Sequence, residues 1–200
     1  MSHAPPRALV LGSTSTYRRE LLERLRIPFT VAAPEVDESP LPGEQPRQIA
    51  MRLALAKARA VASRFPHSVV IGSDQVADLH GEALGKPGNF ERAQAQLRRM
   101  SGQTVVFHTA VAVVCQAQQF VQEALVPVEV RFRTLGEAEI RHYLLAETPY
   151  DCAGSAKSEG LGIALLERID NQDPTALVGL PLIATARMLR AAGIPILGGA

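Results

Sequence analysis

The period of apolar and polar positions changes several times along the chain, and each change marks an element. Ala8-Leu9-Val10-Leu11 is a short apolar run before Gly12, and from Ser15 onward Leu21, Leu22 and Leu25 fall at helical spacing, which reads strand, turn, helix. Phe29 to Ala33 forms a second short strand. Pro34 to Gln45, rich in Pro, Gly and acids, is a loop leading to Pro46, whose missing N–H costs nothing in a helix's first turn. That long helix is expected to end near Phe65-Pro66. Val69-Val70-Ile71 reads as a buried strand running into Gly72-Ser73-Asp74, followed by a small hairpin that turns at His80-Gly81. Asn89 then caps a helix reaching about Met100.

Thr104 to Val114 is apolar on both alternating faces, as in a central strand, whereas Ala124, Val126, Val128, Val130 and Phe132 alternate with polar neighbours, as in a half-exposed one. The two are expected to pair as a long hairpin, with Pro127 at an edge or a bulge because it cannot donate to a ladder. Thr134-x-x-Glu137 has the form of a capping box, Gly162 to Ile169 reads as another strand, and Pro181 to Ala192 as a helix stopped by Gly193. Strands alternating with helices make the fold class α/β, a mixed twisted sheet flanked by helices. At 200 residues the chain is expected to be a single domain over 1–200, with 1–7 and 194–200 as peripheral tails.

Composition narrows the function classes. Apolar residues at 46% exclude a disordered chain. Twenty-one basic against twenty acidic residues leave +1, so no global field favours a polyanion; nucleic acid is excluded as the main partner, and phosphate binding must come from a few focused residues. Cys115 and Cys152 show no CxxC or His-Cys spacing, so neither a disulfide framework nor a structural zinc is expected, which suits a reducing cytoplasm. No opening apolar run is long enough for a secretory or membrane segment.

Several residues carry chemistry. Gly12-Ser13-Thr14-Ser15-Thr16-Tyr17-Arg18-Arg19 places hydroxyls and two arginines at a strand-to-helix junction, where free N–H groups favour an anion; it lacks the Walker A ending, and a Ser-capped helix with solvated arginines fits it equally. On the long helix Ile49, Leu53, Lys57 and Val61 form an i, i+4 row. Lys57 thus sits within an apolar face, where its ammonium either meets a carboxylate or phosphate, or snorkels to the edge of the core. Asp74 follows an apolar strand, at the end where open sheets present groups to ligands, as a metal ligand, a base or a turn cap. Asp37-Glu38 is either part of a metal shell or solvated. Gly85-Lys86-Pro87 holds a lysine between two turn residues, and Ser155 to Gly162 is a polar, Gly-punctuated stretch able to approach a ligand. His108 reads as a satisfied core histidine, and both cysteines as small hydrophobes.

Taken together, Ser-x-Ser-x-x-Arg after the first strand, Ala-Lys-Ala around Lys57, Gly-Ser-Asp-Gln-Val, Gly-Lys-Pro and Ala-Gly-Ser-x-Lys-Ser-Glu-Gly resemble the Maf family of nucleoside triphosphate pyrophosphatases, from about Ala8 to about Arg190. The resemblance implies a two-lobed, inosine-triphosphatase-like fold with the site in a central cleft, a divalent metal such as Mg or Mn, and cleavage of a nucleoside triphosphate to monophosphate and pyrophosphate. It implies catalytic roles for Lys57, Asp74 and Lys86, substrate contacts at Ser13, Tyr17, Arg18, Arg19, Gln75, Lys157 and Glu159, and metal ligation by Glu38 and Asp74. Tyr17, Gln75 and Glu159 resemble the set of the family's 7-methyl-GTP branch. Tyr17 stands where that branch often has tryptophan, and Thr16 where the family usually has proline. The alternatives are the dTTP/UTP branch and a nucleotide-sensing regulator of cell division. The expected partner is a nucleotide, with a homodimer allowed and neither nucleic acid nor membrane expected.

Overall fold

The structure is a computed structural model and describes residues 7–198. It opens with strand β1 (Leu9–Gly12), helix α1 (Thr16–Glu23) and strand β2 (Thr30–Ala32). Helix α2 (Pro46–Ala62), the long strand β3 (Val69–Leu79), the short β4 (Glu82–Leu84) and α3 (Phe90–Met100) follow. Two long strands, β5 (Thr104–Cys115) and β6 (Phe120–Phe132), precede α4 (Glu137–Glu147), β7 (Leu166–Asp170) and α5 (Leu182–Ala191).

The seven strands make one mixed sheet in the order β2-β1-β3-β5-β6-β7, with β4 paired to the far end of β3. β1 runs parallel to β2 and β3, whereas β3, β5, β6 and β7 pair antiparallel. β3, β5 and β6 are long enough to serve two halves of the molecule. In one half, Leu9 and Leu11 of β1 and Val69 and Ile71 of β3 pack against Leu21 and Leu22 of α1 and Met188 and Leu189 of α5. The opposite face there is covered by α2 through Ile49, Leu53, Ala58 and Val61. The other half buries Leu97, Phe107, Phe132, Ile140 and Leu144 beneath α3 and α4.

Gly72 sets how closely α2 approaches the sheet. A Cβ there would lie 2.3 Å from the Ala54 carbonyl oxygen and 2.5 Å from the Ala58 nitrogen, both backbone atoms that cannot swing aside. Gly72→Ala is therefore expected to lower stability by about 1–3 kcal/mol, the usual cost of overpacking, and to depress activity by lifting α2 off β3. Thermal unfolding with kcat measured on the same sample checks both effects.

Several expectations change. β3 does not stop at Asp74: it pairs with β5 from Val70 to Asp78, because the polar residues at its centre all find side-chain partners and so do not terminate it. Asp74 is a mid-strand residue. Helix α4 starts two residues later than the Thr134 box: Gly136 is its N-cap, and its N–H donates to Glu139 Oε2 at 2.8 Å. Residues 161–165 form a 3₁₀ turn rather than strand, since Gly162 lies against the Lys157 backbone and only Leu166–Asp170 reaches β6. Ile194, expected in a tail, is 3% exposed and belongs to the core; residues 1–6 and 199–200 lie outside those described. His108 is only half satisfied, its Nε2 lying 3.1 Å from Asp78 Oδ2 while its buried Nδ1 has no partner among the described residues. Pro127 lies where β6 pairs with β5 alone, as a locally exposed edge requires.

Candidate functional site

A cleft of about 620 Å³ opens between the two halves, across the middle of β3. The β1–α1 turn, the β2–α2 loop, α2, β3, β4 and the segments 151–159 and 177–179 line it.

Strand alternation sends the two neighbours Asp74 and Gln75 to opposite faces of β3. Asp74 faces α2, where the close approach at Gly72 brings it to Lys57. Lys57 Nζ donates to Asp74 Oδ1 at 2.7 Å and lies 2.9 Å from Glu38 Oε1 of the β2–α2 loop. Lys57 and Asp74 are 5% and 7% exposed, so the ammonium in the apolar row is paired rather than snorkelling. Burial raises the Asp74 pKa above its ordinary 3.8, opposed by the charges of Lys57 and Arg18. Oδ2 of Asp74 takes no hydrogen bond among the described residues.

On the other face Ser73 donates to the Ala110 and Gly179 carbonyls, while Gln75 donates to Thr109 Oγ1 and to the Ala176 and Leu177 carbonyls. These bonds fasten the 176–179 segment to β3. That segment in turn holds Arg18, whose Nε donates to Gly179 O at 2.8 Å and whose terminal nitrogens make no hydrogen bond among the described residues. Burial works against the guanidinium's charge, and Asp74 and Glu38 partly offset it. Asp173, 3% exposed, fixes the same segment by accepting from the Ile183 and Ala184 amides at the start of α5. Ser15 caps α1 by accepting from Arg18 N, and Ser13 Oγ accepts from Ser15 N, which leaves the Ser13 proton free to donate. Lys86 is exposed at the cleft mouth, with no ion pair among the described residues.

A second cluster in the cleft is built on Tyr17. Its hydroxyl lies 3.9 Å from Cys152 Sγ, and Asp151 and Glu159 line the same wall. Burial raises the phenol's pKa, and Asp151 and Glu159 raise it further. Burial, together with Asp151, pushes the Cys152 thiol up to about 12, which leaves it a poor nucleophile at neutral pH. Lys157 Nζ stands 5.8 Å from the centre of the Tyr17 ring. Tyr143, buried below, holds the loop by donating to Ser155 O and accepting from Lys157 N.

Ser13, Tyr17, Arg18, Glu38, Lys57, Asp74, Gln75, Lys86 and Glu159 thus all line one cleft. Lys157 stands over the Tyr17 ring and is not among the residues lining the cleft. Arg19 lies outside, exposed and paired with Glu23 one turn along α1 at 3.0 Å. Asp151, Cys152, Thr109 and the carbonyls of 176–179 escaped the sequence reading; only Asp173-Pro174, a turn-forming pair, signalled that last segment. Among the described residues no group of three or more His, Cys, Asp or Glu side chains is placed to hold a metal ion.

Residues 8–192 match the family described as Maf-like protein. The chain is 72% identical over 95% of its length to the 7-methyl-GTP pyrophosphatase of Polaromonas sp. (strain JS666), covering 87% of that protein. It is 68% identical over 99% of its length to the protein of that name from Albidiferax ferrireducens, covering all of it, and 57% identical over its whole length to that from Bordetella pertussis, covering 98%. A slighter likeness, with TM-score 0.47 and 14% identity over 64% of this chain and 73% of the other, links it to the solved Ham1 protein of Staphylococcus aureus. With the match running from the first strand to the last helix and the motifs gathered around one cleft, the chain belongs to the Maf family.

Proposed function

We propose that this chain hydrolyses 7-methyl-GTP to 7-methyl-GMP and pyrophosphate, clearing a modified nucleotide from the pool. The observation that carries the reading is that two clusters line one cleft: Lys57 paired with Asp74 and Glu38 with Arg18 near both acids, and Tyr17 beside Cys152, Asp151 and Glu159. The names of its relatives agree with it.

At the phosphate end Arg18, Lys57 and Lys86 neutralise the triphosphate and the charge that moves onto the leaving pyrophosphate, where electrostatic stabilisation contributes most. Ser13 donates its free proton to a phosphate oxygen. Asp74, its pKa raised by burial, takes a proton on Oδ2 from the water attacking the α-phosphorus, while Lys57 holds Oδ1. Three cations against the carboxylates of Asp74 and Glu38 leave little excess positive charge for a triphosphate. Glu38 and Asp74 present hard oxygen donors that fit Mg²⁺ or Mn²⁺, ions held through one or two carboxylates together with substrate phosphates. When bound, such an ion supplies the missing positive charge.

At the base end, methylation at N7 makes guanine cationic. The Tyr17 ring offers it a cation–π contact of about 0.5–2 kcal/mol, and Glu159 accepts from its ring N–H and amino group. Glu159→Gln is expected to lower kcat/KM for 7-methyl-GTP about 10- to 10²-fold, because one acceptor and the charge are lost together. The change for dTTP and UTP should be much smaller, since their bases lack that pair of donors. Rates of pyrophosphate release from 7-methyl-GTP, GTP, dTTP and UTP on both proteins test this. An equal fall for every substrate removes Glu159 from base recognition, and a wild type that prefers dTTP or UTP overturns the assignment of substrate.

A further inference from the structure

Glu147 is the last residue of α4, where the helix dipole disfavours a carboxylate. Its placement is explained by what it touches. Oε1 accepts from the Leu161 amide at 2.6 Å, and Oε2 lies 3.5 Å from Lys157 Nζ. The side chain is only 19% exposed, and it fills the space beside Gly160, where a Cβ would come within 2.6 Å of Oε1. Glu147 therefore binds both the backbone beyond Glu159 and the ammonium that stands over the Tyr17 ring.

That ammonium matters for a cationic base. Lys157 lies 5.8 Å from the Tyr17 ring centre, near enough to compete for the ring and to repel positive charge placed on it. Tyr17, Asp151 and Glu159 line the cleft together, but Lys157 works against the attraction of the two acids unless its own charge is cancelled. We infer that Glu147 is a specificity-determining, positioning residue: by neutralising Lys157 it keeps the base end of the cleft negative and so favours a positively charged purine over a neutral one. This rests on the 7-methyl-GTP reading above. Glu147 itself does not line the cleft; it acts through Lys157.

Glu147→Gln isolates the charge, because the amide oxygen still accepts from Leu161 and the loop stays fastened. The ratio of kcat/KM for 7-methyl-GTP to that for GTP is expected to fall about three- to tenfold, as one uncompensated unit charge several ångströms away implies in a partly solvated site. The fall should be carried mainly by KM for 7-methyl-GTP, with an unchanged melting temperature. Adding Lys157→Met should restore the ratio toward that of the wild type. An equal loss for both substrates shows Glu147 to be only a loop fastener and overturns the inference, as does a ratio that Lys157→Met fails to restore. A wild type with no preference for 7-methyl-GTP over GTP overturns instead the reading on which it rests.

Discussion

Asp74→Asn is expected to lower kcat by at least about 10²-fold, the contribution of a positioned general base, while the fold persists. Asparagine keeps the volume of a side chain that is 10% exposed and still accepts from Lys57 through its amide oxygen. It cannot take a proton from water. The ionised carboxylate is held at a cost in solvation, shown by its raised pKa, so removing its charge relieves one strain while Lys57 keeps Glu38 as a partner. Melting temperature should change by only a few degrees for a shift near 1 kcal/mol. In the wild type, kcat/KM should fall as pH drops through a value above the ordinary 3.8, because the base is then protonated; the variant should lose that limb. Retention of more than about a tenth of wild-type kcat would demote Asp74 to a structural role.

Lys57→Met is expected to lower kcat/KM about 10²- to 10³-fold, the usual loss when a charge aimed at the developing anion is removed. Here stability also suffers. Methionine suits the row of Ile49, Leu53 and Val61, but it leaves the buried Asp74 carboxylate without its partner, at a cost near 3 kcal/mol at neutral pH. The sign with pH is fixed: without Lys57 the folded-state pKa of Asp74 lies still further above its unfolded value. The loss is therefore full at pH values above that folded pKa and shrinks as pH falls through it and the carboxyl becomes neutral. Lys57→Met with Asp74→Asn should regain most of the stability and none of the activity. Unfolding between pH 4 and 8, with kcat/KM at neutral pH on all three variants, separates the two effects; normal activity in the destabilised single variant would show Lys57 to be structural.

Much of this architecture was legible because local chemistry and global packing agree. The apolar row that carries Lys57 required either a partner or an escape to solvent, and the strand opposite supplied the partner. Asn89, the His80-Gly81 turn, Pro46 and Gly193 all fall where their conformational preferences place them. Failures came where tertiary partners overrode local signals. Ser73-Asp74-Gln75 looks like the end of a strand, yet each side chain is satisfied by a residue distant in sequence, so β3 continues through them. The segment after Gly160 has strand-like composition, but its tight fold against Lys157 precludes pairing until Leu166. Cys152, Asp151 and Glu147 carry no motif; only the folding of α4 and its following loop over Tyr17 gives them a part. Arg19 shows the reverse case, a residue adjacent to a cleft arginine in sequence but one helical step away from the cleft in space.

Hydrolysis of 7-methyl-GTP in ¹⁸O-labelled water, with Mg²⁺ and mass analysis of both products, tests most directly the claim that water attacks the α-phosphorus in this cleft. The label is expected in 7-methyl-GMP, with unlabelled pyrophosphate as the other product. Label in pyrophosphate, or release of orthophosphate with 7-methyl-GDP, would contradict it.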